Sequence, residues 1–166
     1  MTFHGNLHLG EALYTGKDFV FIDFEGESAR PLGERRIKRS PLNDVAAMIR
    51  SFEFTTYAAL FKQLDLGTLH EERLPQLEPW TGFWYRWVSS VYLNSYLEVV
   101  GKTDLLPHSN EELKVLFDVH LLEKAVYEIR YELKHRPSWL KIPFRAIVKL
   151  LEPKVASSPS ASPATH

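Results

Sequence analysis

The residues best equipped for chemistry lie at the start of the chain. His4, Asn6, His8 and Glu11 fall in the run His-Gly-Asn-Leu-His-Leu-Gly-Glu at 4–11, and Asp23 ends an apolar stretch in Phe-Val-Phe-Ile-Asp-Phe-Glu-Gly-Glu at 19–27. Phosphoryl transfer asks for a group that takes the acceptor's proton, a side-chain oxygen for one magnesium ion and a carboxylate for the metal on the phosphates. Asn6, Glu11 and Asp23 offer one position for each. The same stretch also reads as a zinc set of His4, His8, Glu11 and Asp23, although its Gly-containing turn lacks the Glu-between-His arrangement of helical zinc sites. Two plainer roles stand beside these: His4 as a hydrogen-bonded scaffold group and Asp23 as a strand-end turn residue.

These groups need a turn and a strand to hold them. Phe19, Val20, Phe21, Ile22 and Phe24 make a short apolar run between Gly16 and Gly26, which predicts a strand over 18–24 paired with 9–14 across the turn at 14–18. The rest reads as helical. Residues 28–40 form an irregular loop closed by Ser40-Pro41, and a helix follows over about 41–63 with Val45, Met48, Ile49, Phe52, Tyr57, Leu60, Phe61 and Leu64 on one face. Pro75 and Pro79 bracket a linker, and a second helix runs from about 79 to Gly101 with a stripe of Trp80, Phe83, Trp84, Trp87, Val91 and Tyr92. Ser-Asn-Glu-Glu at 109–112 is a capping box that opens a helix to about 118; further helices cover 119–135 and 138–151, the last kinked at Pro143. The Ser/Pro-rich residues 153–166 read as a disordered tail.

Composition narrows the function classes. The 166 residues, 45% hydrophobic, suffice for one core and not for two ordinary domains. Twenty Lys and Arg against 21 Asp and Glu give a net charge of -1, which argues against a nucleic-acid partner or an anionic membrane. Absence of cysteine excludes disulfides and thiolate chemistry. No signal peptide or membrane span is visible, so the expectation is a soluble cytoplasmic protein.

Three further clusters carry chemistry. Arg35, Arg36, Lys38 and Arg39 form a basic run that reads as a solvated loop face or, following Asp23, as a phosphate-facing one. The tryptophans at 80, 84 and 87 could stack on sugar rings, but aromatics at helical spacing read first as core. Tyr127 and Tyr131, and Glu128 and Glu132, are each four apart on one helix, with Arg136 and Trp139 following. That face suits sugar hydroxyls and equally a salt-bridged surface. Leu122, Val126, Ile129 and Leu133 read as its packing side.

The opening loop resembles the His-Gly-Asp-Leu-His-x-Gly-Asn loop of aminoglycoside phosphotransferase-like kinases, with Asp-Phe-Glu-Gly in place of their metal-binding triplet. Downstream, Arg30-Pro31-Leu32, Glu34-Arg35-Arg36, Lys38 to Leu42, Asp44-Val45-Ala46, Met48 and Arg50-Ser51 resemble bacterial maltokinases, some of which are fused to trehalose synthase. Leu122 to Ala125, Tyr127-Glu128, Arg130 to Leu133, Arg136-Pro137 and Trp139 fit the same family, so the resemblance spans residues 3 to about 152. It implies a mostly α fold with a small β-hairpin, the C-terminal lobe of a protein-kinase-like fold. The catalytic hairpin would occupy 3–27 and the helical acceptor-binding part 41–152.

The implied reaction is ATP-dependent phosphorylation of maltose to maltose 1-phosphate in trehalose and glycogen metabolism, with Mg2+ required. By position, Asn6 would stand at the catalytic base and His4 would hold the loop. Asp23 and Glu11 would bind the metal, and His8, Arg35 and Arg36 would lie near phosphate. Tyr127, Glu128, Tyr131, Glu132, Arg136 and Trp139 would bind the acceptor. The family normally shows Asp at position 6 and Gln or Asn at position 11; Asn6 accepts a hydrogen bond but takes no proton near neutral pH. Losing a general base costs about 10²–10⁴ in rate. The motif starts at residue 4 and leaves no sequence ahead of it for an ATP-holding lobe. The expectation is therefore little turnover from this chain alone, with a separate N-lobe chain as its complement. The rivals are a non-catalytic module that binds maltose or trehalose synthase, and a related phosphotransferase with another acceptor.

Overall fold

The computed structural model describes residues 3–26, 31–35, 37, 39–101 and 103–152. Glu27, Arg30, Arg36, Lys38 and the 153–166 tail lie outside the described residues. The N-terminal segment makes a 3₁₀ turn at Leu9–Glu11, then strands β1 (Ala12–Tyr14) and β2 (Phe19–Phe21), paired antiparallel with Leu13 opposite Val20. A bond from the Ile22 N–H to the Glu11 carbonyl (3.0 Å) lengthens the ribbon by one rung. Both strands are shorter than the apolar pattern predicts, because the ribbon packs through its base only: Leu13, Tyr14, Phe19, Val20 and Phe24 are all exposed. Inside the expected irregular loop sits one helical turn, α1 (Leu32–Arg35).

Four long helices follow: α2 (Leu42–Asp65), α3 (Leu74–Val100), α4 (Asn110–His135) and α5 (Lys141–Leu151). The expected apolar face of α2 is the core, with Val45, Met48, Ile49 and Phe52 buried against Leu7 and Leu121, and Tyr57 and Phe61 against Ile142. Three helix boundaries differ from expectation. There is no 75–79 linker, since α3 starts at Leu74: Pro75 lies in a first turn whose N–H groups have no helical partner anyway, and Pro79 forfeits one bond. The expected break near 118 is absent because no Gly or Pro interrupts 110–135. Its start is as read, the Ser109 hydroxyl accepting from the Glu112 N–H at 3.4 Å. Pro143 neither kinks nor breaks α5, because it too sits in a first turn, preceded by a 3₁₀ turn at Pro137–Trp139.

Two faces are turned from their predicted orientation. On α3 the inward side is Tyr85, Val88, Tyr92, Leu93 and Tyr96, while Trp80 (71% exposed), Phe83 and Trp87 point outward, so the tryptophan stripe is not core. Trp84 is half-way, its ring edge meeting Phe52 at 6.4 Å. On α4 the buried positions are Leu121, Ala125, Glu128 and Glu132, with Val126 and Leu133 exposed. Apolar periodicity misplaces this face because its acidic members are neutralised inside by arginines.

Side chains of α2 fasten the N-terminal segment. Asp44, buried in its first turn, accepts from the backbone N–H of His4 (2.7 Å) and of Gly5 (2.9 Å). About two turns further along α2, the Ser51 hydroxyl accepts from the Leu9 N–H (3.1 Å) and donates to the Met48 carbonyl (2.7 Å). At the other side of the bundle, Arg145 of α5 forks onto Glu78 of α3 at 2.7 and 2.9 Å. That hydrogen-bonded pairing holds the Glu78 carboxyl below its ordinary range.

Two outcomes are expected. Asp44→Asn leaves one of the two N–H groups facing an amide instead of a carboxylate oxygen, which lowers stability by about 1–3 kcal/mol in urea denaturation and speeds exchange of the His4 and Gly5 amides. Because the folded Glu78 pKa is depressed, its stabilising share is present above the unfolded pKa and fades as pH falls below about 4. Thermal melts of Glu78→Gln should show less loss between pH 5 and 3 than the parent.

Candidate functional site

The loop 4–10 is shaped by its own side chains. Gly5 has φ 83°, and a Cβ there would approach the Phe3 ring to 3.3 Å, so glycine alone fits without strain. His4 is buried; its Nδ1 accepts from the Asn6 N–H at 3.4 Å, which leaves the proton on Nε2 to be donated to the Ile22 carbonyl at 2.7 Å. The ring also rests on Phe24, centroids 4.8 Å apart. His4 thus ties the loop to the end of β2 as scaffold. His8 accepts from the Gly10 N–H through Nδ1 (3.1 Å), capping the 3₁₀ turn, and its Nε2 lies 3.3 Å from the Glu11 carboxylate.

Facing this loop is α4. Lys124, Tyr127, Glu128 and Tyr131 follow the i, i+3, i+4, i+7 spacing of one helical stripe. Together with Asn6, His8, Leu9 and Gly10, and with Ala47, Ser51, Phe54 and Thr55 of α2, they line a cleft of about 460 Å³ that Glu132 and Arg136 close at one end. Lys124 donates to the Asn6 carboxamide oxygen at 3.3 Å and lies 4.7 Å from the Tyr127 ring centroid. Asn6 therefore keeps its NH₂ for a ligand acceptor and holds no group that removes a proton.

The acidic residues of the cleft are held from behind. Arg50 of α2 bonds both oxygens of Glu128, through Nε to Oε1 at 3.3 Å and through Nη2 to Oε2, and reaches Glu53 with Nη1. Burial opposes the Arg50 charge, but Glu128 and Glu53 outweigh it and raise its pKa. Burial outweighs the attraction of Arg50 and Lys124 and pushes the Glu128 carboxyl above the ordinary range. Glu132 is likewise held by both arms of Arg136, at 3.0 and 2.7 Å. Arg136 in turn lies over Trp139, 4.4 Å from the ring centroid.

Of the expected site residues, Asn6, His8, Tyr127, Glu128, Tyr131, Glu132 and Arg136 meet in this cleft. Trp139 is not in its lining and acts one step removed, beneath Arg136 and against Phe54. Arg35 braces the 24–26 turn, donating to the Glu25 carbonyl at 3.2 Å. Asp23 is exposed with φ 60°, an uncommon conformation for a non-glycine residue, directly after the β2 extension. Among the described residues no group of three or more His, Asp or Glu side chains gathers as a metal site, and both His4 nitrogens are already bonded, which disfavours the zinc reading. Asp23 and Glu11 supply oxygen donors of the hard kind that magnesium takes, one or two at a time, alongside phosphates. Sequence reasoning passed over Lys124, Arg50 and Asp44 as site residues; the i±4 stripe through Glu128 contains the first, and nothing local marks the other two.

No family model matches the chain. It is similar to a glucosamine kinase of Mycolicibacterium smegmatis, 28% identical over 155 residues, which cover 90% of this chain and 34% of the relative. A glucosamine kinase of Streptacidiphilus jiangxiensis is 24% identical over 154 residues, 89% of this chain and 31% of the relative. The solved structure of a glucosamine kinase in complex with glucosamine, ADP and inorganic phosphate matches with a TM-score of 0.69 at 22% identity, over 89% of this chain and 32% of that one. This chain spans about a third of the length of the curated relatives it matches. It has the fold of that third and is similar in sequence to sugar kinases, while these relatives give no support to maltose, trehalose or glycogen in particular.

Proposed function

We propose that this chain is the acceptor-binding part of a sugar phosphotransferase, the C-lobe of a kinase-like fold, and that its cleft takes an amino sugar of the glucosamine type. The observation that carries this reading is a convergence across the sequence. Asn6, from the loop whose residue types suit phosphoryl transfer, and Lys124, from the helix whose face suits a sugar, are 118 positions apart and bonded at 3.3 Å. Both line a cleft of about 460 Å³, within the range of roughly 300–1,000 Å³ usual for small-molecule sites. Its tyrosines offer ring faces and hydroxyls, and its glutamates offer lone pairs for hydroxyl or ammonium protons.

Glucosamine ranks ahead of maltose because the named relatives are glucosamine kinases. The lining also offers an ammonium group the acceptor oxygens of Glu128 and Glu132, beside the cations Lys124 and Arg136. The nucleotide would be ATP, in keeping with the ADP in the related structure. Magnesium, where bound, neutralises charge on the phosphates; Asp23 and Glu11 are the residues that would hold it. His4 fixes the backbone next to Asp23 through the Ile22 carbonyl. Because Asn6 takes no proton, the site binds its acceptor and turns it over slowly, a reading that shades into the non-catalytic module.

Calorimetric titration with glucosamine, glucose and maltose should find glucosamine bound most tightly, with or without ADP. With ATP and magnesium, phosphorylation should be at or below the detection limit, and Asn6→Asp should raise it only when the remaining two-thirds of a kinase is supplied. Rapid phosphorylation by the unaltered chain would contradict the assigned role of Asn6. Equal indifference to all three sugars would contradict the acceptor site.

A further inference from the structure

Glu128 belongs to two environments at once. It forms part of the cleft wall, yet both its oxygens are bonded on the far side by Arg50, whose residue is 1% exposed. Each carboxylate oxygen has more than one lone-pair direction, so one bond apiece to Arg50 leaves each able to accept from a ligand. The fork fixes which way those remaining lone pairs point. Glu132 differs: its fork comes from Arg136 on its own helix, at the half-exposed cleft mouth. Among the described residues only Arg50 ties a cleft carboxylate to a different helix, and Glu53 and Lys149, joined at 2.9 Å, anchor Arg50 from behind.

We infer that Arg50 is the positioning residue of the acceptor cleft, holding the Glu128 carboxylate turned toward the hydrogen-bond donors of the bound sugar. The inference rests on the acceptor reading given above. A lysine at this position keeps the charge but not the planar fork, and a single ammonium does not hold both oxygens of Glu128 in one plane while also bonding Glu53. With the fork gone, the charged and titratable groups around Glu128 are Glu53 of α2, Lys124 on its own helix, Tyr85 of α3 and, through Glu53, Lys149 of α5. Tyr85, pushed up to about 12 by burial, stays neutral across the accessible range. Burial already favours the protonated form of Glu128 and the Arg50 fork opposes it, so loosening the fork favours protonation further.

The test is calorimetric titration of the full chain with glucosamine, and with glucose for comparison, at pH 5 to 8. Arg50→Lys should weaken glucosamine binding at least about ten-fold, and its deficit relative to the parent should widen as pH drops; glucose should lose less. Glu53→Gln removes the other partner of Arg50 but leaves the fork, so it should lower the melting temperature while affinity stays within about two-fold of the parent. If Arg50→Lys fails to fold, Glu128→Gln should lose glucosamine affinity to a similar degree, with no added pH dependence because the titrating carboxyl is gone. Parent-like affinity in Arg50→Lys, or in Glu128→Gln where it takes its place, overturns the inference, as does an equal loss in Glu53→Gln. A parent chain that binds no glucosamine overturns the acceptor reading itself, an outcome distinct from a parent that binds and a variant that binds equally well.

Discussion

The arrangement of the cleft depends on a buried guanidinium. Arg50 projects from the middle of α2 into the seam with α4, where Glu128 meets it, and Glu53 and Lys149 complete a neutral set of two anions and two cations. Removing one member of such a set leaves an uncompensated buried charge, typically at about 3–5 kcal/mol. The same helix grips the N-terminal loop through Asp44 and Ser51. Loop and α4 are therefore registered to each other through one rigid element, and the distance from Asn6 to the α4 stripe follows from where α2 places these three side chains.

Within that frame, the chemistry turns on Asn6. Its oxygen is bonded by Lys124 and its nitrogen is a donor, so the loop contributes recognition where a carboxylate would contribute proton transfer. Leu13, Tyr14, Phe19, Val20 and Phe24 on the ribbon, and Trp80, Phe83 and Trp87 on α3, are exposed apolar groups of a kind that large soluble surfaces seldom gather. The chain also matches about a third of its relatives.

Much of this was legible before any coordinates. The α2 stripe, the ribbon and the Ser109 cap follow from periodicity and local bonding alone, and the motif residues Asn6 and His8 do meet the Tyr and Glu pairs of α4. Proline and charge account for what was misread. Pro75 and Pro143 look like breakers until their places in first turns are known, and that depends on where the helices begin. Glu128 and Glu132 read as a solvent face because their arginines come from position 50, far off in sequence, and position 136, which looked like a ligand group. The α3 tryptophans read as core because periodicity reports that a face is apolar and says nothing of whether it is covered.

The most direct test of the account is to map glucosamine onto the chain by backbone amide chemical shifts. The account predicts saturable shifts grouped at Asn6, Gly10, Ser51, Thr55, Lys124, Tyr127 and Tyr131, from both sides of the cleft together. Shifts confined to the Trp80–Trp87 face or to the ribbon, or none at millimolar sugar, would contradict it.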